Sequence, residues 1–94
     1  MRVRYTRRAN RELAEILLYL SKNSPQGLRN VKRAIENTER LIGLFPQCGR
    51  LTAVTGTRML TAGRYPYLIY WIVEGDEAMI VHIRDGRRQP WRGE

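Results

Sequence analysis

The chain has 94 residues, 17 of them Lys or Arg against 9 Asp or Glu, so it carries a formal charge of +8, while 43% of it is hydrophobic. One domain over residues 1–94 with one core is what this length allows, and the composition excludes a chain too polar to fold. No apolar run approaches the roughly 20 residues that span a bilayer, the amino terminus lacks a secretion signal's apolar region, and the single Cys48 excludes an internal disulfide or a cysteine metal site. A cytoplasmic protein with no metal and no cofactor is expected. Its charge attracts nucleic acid, an acidic protein or anionic lipid, without choosing among them.

Val3 and Tyr5 alternate with Arg2, Arg4 and Thr6, the period of a short strand with one covered face. After Thr6, a cap residue, the period becomes helical: Ala9, Leu13, Ile16, Leu17 and Leu20 share a stripe, with Arg11, Glu12, Glu15 and Lys22 away from it, predicting a helix over about residues 7–22. Ser24-Pro25 ends that helix and starts another, since Ser24 caps and Pro25 suits the first helical position. Leu28, Val31, Ile35 and Ile42 form the second stripe, and Arg29, Lys32, Arg33, Glu36 and Arg40 face water. Phe45-Pro46 breaks the pattern, and a loop leads to a strand over about residues 57–61.

Tyr65 to Val73 is rich in β-branched and aromatic residues, as a central strand partly covered on both faces would be. Glu74-Gly75-Asp76-Glu77 reads as a tight hairpin turn with positive φ at its centre. In the last strand Met79, Val81 and Ile83 are expected to face the helices, and Ile80, His82 and Arg84 the open side. A polar tail follows from Asp85 to Glu94. The fold class is α+β: an amino-terminal strand, a two-helix hairpin, then a three-stranded antiparallel meander, all in one curved antiparallel sheet.

The Ser24-Pro25 break, the Leu44-Phe45-Pro46 exit with Gly49-Arg50 after it, Arg58-Met59-Leu60, Tyr67-Leu-Ile-Tyr70 and Asp85-Gly-Arg-Arg88 together resemble the ParE and RelE superfamily of toxins from bacterial toxin–antitoxin pairs. The resemblance covers nearly the whole chain. It implies two helices over a curved sheet and a cognate antitoxin whose carboxy-terminal segment wraps the toxin. The RelE-like branch cuts messenger RNA on the ribosome, whereas the ParE-like branch is associated with poisoning DNA gyrase. Aligned on Tyr-Leu-Ile-Tyr, Arg58 and Arg88 match basic positions of the nucleases, but Tyr67 stands where they carry an arginine and Leu60 where some carry a lysine. The chain is therefore read as ParE-like, acting on gyrase by binding and without catalytic residues. The alternative is a metal-independent endoribonuclease using Arg58, His82, Arg84 and Arg88.

Each candidate has a plainer reading beside it. His82 has the ordinary pKa of a proton-transfer group, yet no carboxylate or second histidine lies at an obvious partnering position, so it also reads as an inert strand residue. Arg84, Arg87, Arg88 and Arg92, with Trp91 among them, would grip phosphates or receive acidic groups of an antitoxin or gyrase, or would simply keep the tail solvated. Tyr67, Ile69 and Trp71 alternate onto one face, expected opposite the helices, where an uncovered apolar patch would mark an antitoxin site.

Overall fold

Thr6 and Ser24 punctuate the first half of the computed structural model, which describes residues 1–87. β1 (Arg2–Tyr5) ends at Thr6, whose hydroxyl accepts the Ala9 N–H at 3.1 Å and starts α1 (Arg7–Asn23). Ser24 serves two helices at once. Its N–H donates to the Leu20 carbonyl at 2.7 Å, closing α1, and its Oγ accepts the Gly27 N–H at 3.1 Å, opening α2 (Pro25–Leu44).

β2 (Arg50–Leu51), β3 (Arg58–Thr61), β4 (Tyr67–Glu74) and β5 (Glu77–Asp85) complete a sheet of order β1-β5-β4-β3-β2. The last three strands form the expected antiparallel meander, and Gly75 at φ +61° turns the chain between Glu74 and Glu77. Two points differ from the sequence reading. β1 pairs in parallel with β5, Val3 opposite Ala78 and Tyr5 opposite Ile80, and a two-residue β2 pairs with β3. The same strand explains both, because β2 adds a reversal of direction that leaves β5 running the same way as β1. The sheet is mixed, not wholly antiparallel.

The two helices cover one face. Leu13, Ile16 and Leu20 of α1 and Val31, Ile35 and Ile42 of α2 pack into a core with Val3, Tyr5, Ile69, Trp71, Ala78, Ile80 and Ile83 of the sheet. Burying a side chain such as Ile80 or Ile42 contributes about 1.5–3 kcal/mol each. The Tyr5 hydroxyl donates to Glu39 at 2.7 Å and pins β1 to α2; burial, then the Glu39 carboxylate, raise its pKa.

β5 does not alternate as expected. Tyr70 pairs with His82 but Trp71 pairs with Ile80, so Val81 is an extra, bulged residue. The inward residues are Ala78 and Ile80 before the bulge and Ile83 after it, all buried, whereas Met79 and Val81 are only half-buried. Ile80, expected on the open side, is core.

Candidate functional site

β1 stops opposite Ile80, so from Val81 onward β5 has no strand on that side. α1 supplies the missing partners. Thr6 donates its N–H to the Ile80 carbonyl at 2.9 Å, and the Glu12 carboxylate accepts the Ile83 N–H at 3.0 Å. The same carboxylate meets His82 Nδ1 at 2.8 and 3.0 Å from its two oxygens and takes a third donor, Arg8 Nε, at 3.2 Å. Glu12, which the sequence reading set away from the apolar stripe, is thus the partner that His82 lacked; the two are 70 residues apart.

His82 is 6% exposed and stacks on Tyr70 with ring centroids 5.4 Å apart. Burial lowers its pKa below 6.5, the Glu12 hydrogen bond and charge push it back up, and Arg8 and Arg84 add to the lowering. The neutral ring therefore donates Nδ1–H to Glu12. Arg84 donates to the Tyr70 hydroxyl at 3.3 Å, so His82, Tyr70 and Arg84 form one cluster on the sheet face away from the core.

The remaining predicted residues divide among several places. Tyr67, Ile69 and Trp71 do share a face, but it is the helix-facing one: Ile69 lies opposite Ile83 and Trp71 opposite Ile80, and both are fully buried. The expectation of an uncovered aromatic face is overturned: Ile83 faces the helices as read from the sequence, so its partner Ile69 does too, and the bulge brings Ile80 onto the same face opposite Trp71. Trp71 donates Nε1–H to the Pro46 carbonyl at 3.1 Å. Gly49, at φ +74°, comes so close that a Cβ there would lie 2.8 Å from the indole and 2.6 Å from the Met59 carbonyl.

Tyr67 instead borders a cavity of about 470 Å³ between α1 and the end of β5, with Glu15, Tyr19, Asp85 and Arg87 around it. Burial, then the charge of Asp85, raise the Tyr67 pKa. Arg87 folds back on Asp85, with Nη2 at 2.6 Å and its own N–H at 2.9 Å from the carboxylate. Arg58, half-buried, lies opposite Trp71 on the helix-facing side, so it does not join His82 and Arg84 as the nuclease set requires. Arg88, Trp91 and Arg92 lie outside the described residues. Among the described residues no group of three His, Cys, Asp or Glu side chains could hold a metal ion, and no helix is long and apolar enough to cross a membrane.

Residues 3–90 match the family model described as the ParE toxin of the type II toxin–antitoxin system parDE. A relative described as "Putative toxin Y4kP" of Sinorhizobium fredii is 28% identical over 89 residues, 95% of this chain and 93% of its own. Among solved structures, one described as a chromosomal ParDE system from P. aeruginosa superposes with a TM-score of 0.77 at 26% identity, covering 90% of this chain and 95% of that one. The likeness spans β1 to β5.

Proposed function

Since the chain belongs to the ParE toxin family of type II toxin–antitoxin systems, we propose that it arrests growth by binding DNA gyrase and that a cognate antitoxin neutralises it. The supporting observation is the match to ParE toxins from residue 3 to residue 90, which takes in every strand and both helices. Toxicity here is a property of surfaces. Arg84 and Arg87 at the end of β5, with Arg88, Trp91 and Arg92 beyond it, give a cationic and aromatic segment suited to acidic protein surfaces.

His82 fits this reading as a structural residue. Its Nδ1 is held by Glu12 and its ring by Tyr70, so it fastens α1 to β5. Expression without antitoxin tests the proposal: wild-type chain stops growth, while a chain lacking residues 87–94 folds and lets cells grow. Unchanged arrest by the truncated chain would remove the tail from the mechanism, and growth with the intact chain would remove toxicity itself.

One observation favours a second reading, a ribosome-dependent messenger RNA endonuclease. A carboxylate on His82 Nδ1 with an arginine nearby is the arrangement that orients an imidazole for proton transfer. Message cleavage that disappears in Arg88→Ala with the fold intact would replace the gyrase proposal with this one.

A further inference from the structure

Among the described residues, half-buried Arg58 is a cation without an anion. Its guanidinium makes no ion pair or hydrogen bond with any described residue, although the chain pairs Arg2, Arg4, Arg8 and Arg87 with carboxylates. It borders a cavity of about 220 Å³ whose other walls are Gln47, Leu51, Gly56, Trp71 and Val73. Nothing closes this cavity at Gly56, where a Cβ would meet no atom within 4 Å. Leu51 and Val73 on its rim are 65% and 36% exposed.

Trp71, the fully buried inner wall, is held by its hydrogen bond to the Pro46 carbonyl. Two of the exposed large apolar side chains, Leu51 and Val73, thus flank the cavity that Arg58 borders. Exposed apolar groups around a partly desolvated arginine are the composition of a binding hot spot, not of a solvated face.

We propose that this cup receives an acidic segment of a partner protein, with one carboxylate on Arg58 and a neighbouring aliphatic side chain against Leu51 and Val73. Charge complementarity chooses the occupant. The cup offers one cation with apolar walls, whereas a nucleic-acid strand requires several cations spaced along its phosphates. The nearest arginine in the hairpin, Arg50, pairs with Met59 and so points to the opposite face of the sheet. Only the identity of the partner as the antitoxin rests on the toxin–antitoxin reading; the chemistry of the cup does not.

The test is a titration of the isotopically labelled full chain, followed by NMR, with the blocked peptide Ala-Leu-Glu-Leu-Glu-Ala and its Gln-for-Glu analogue. The expected result is binding at about 1 mM, as suits a single charge pair with one aliphatic contact, and shifts confined to Gln47, Leu51, Arg58, Trp71 and Val73. Binding weakens at least 10-fold with the Gln analogue, with Arg58→Gln and with Leu51→Ser, and is unchanged in Arg33→Gln on the exposed face of α2. No shift at the cup, equal binding of the Gln analogue, or an equal loss in Arg33→Gln would overturn the proposal, the last two by exposing general attraction to a +8 chain. No antitoxin or gyrase enters the titration, so its failure leaves the toxin reading standing, and absence of growth arrest leaves the cup standing.

Discussion

Glu12 accepts from a backbone N–H, a histidine and an arginine, and in doing so fastens the first helix to the unpaired half of the last strand. Removing it leaves two buried residues, His82 and Ile83, with donors lacking their acceptor, and hydrogen bonds to a charged group contribute about 1.5–3 kcal/mol each. Glu12→Ala is therefore expected to lose about 3 kcal/mol of unfolding free energy in urea titrations, while Glu15→Ala, one turn along and exposed, loses less than about 0.5 kcal/mol. Loss of equal size in both variants would contradict the anchoring role. His82 adds a pH dependence whose sign follows from its lowered pKa. The unfolded histidine takes a proton near pH 6.5 and the folded one only at lower pH, so the unfolded chain binds the extra proton in between. The contribution is complete above pH 6.5 and is lost as pH falls through the folded pKa. Unfolding curves of wild type and His82→Gln should diverge in slope below about pH 6.5 and run parallel above it. The sequence hid this pair because helical periodicity puts Glu12 off the apolar stripe, and that stripe takes no account of a strand edge needing an acceptor.

Local rules were sufficient wherever an element is specified by its own residues. Thr6, Ser24 and Pro25 name both helix starts, and the two helices begin where those residues say. Ser24→Ala removes the Oγ that α2 depends on, and a loss of about 1 kcal/mol is expected, read as a lower urea midpoint with unchanged m-value. The elements that were not legible depend on pairing. β2 has two exposed residues and no period to detect, and the β5 bulge reverses the inward set midway along a strand that alternates cleanly on paper. That single extra residue, Val81, is why Ile80 joins Ile83 under the helices, opposite the Trp71 and Ile69 that β4 turns inward. The burial of Trp71 also gives Gly49 its role. Gly49→Ala forces a side chain into positive φ and against both the indole and the Met59 carbonyl, and should cost roughly 3 kcal/mol or prevent folding. A neutral substitution there, by thermal or urea unfolding, would contradict the packing described.

At the scale of the whole molecule, the α+β class, the helical hairpin and the antiparallel meander were readable from period, caps and turns, and the family resemblance from the order of short motifs. The site was readable only in its composition. The sequence pointed to arginines near the end of β5 and to Arg58, but spacing does not reveal that Arg84 joins Tyr70 and His82 while Arg58 lies on the other side of the sheet. A net charge of +8 draws the chain toward acidic or polyanionic partners in general; the ParE-like fold is what directs attention to gyrase. Catalysed supercoiling of relaxed plasmid by purified gyrase, with the purified chain added, tests that claim most directly. The account predicts lost supercoiling or linear cleavage product that the antitoxin reverses. Full supercoiling in the presence of folded chain that stops growth when expressed would contradict it.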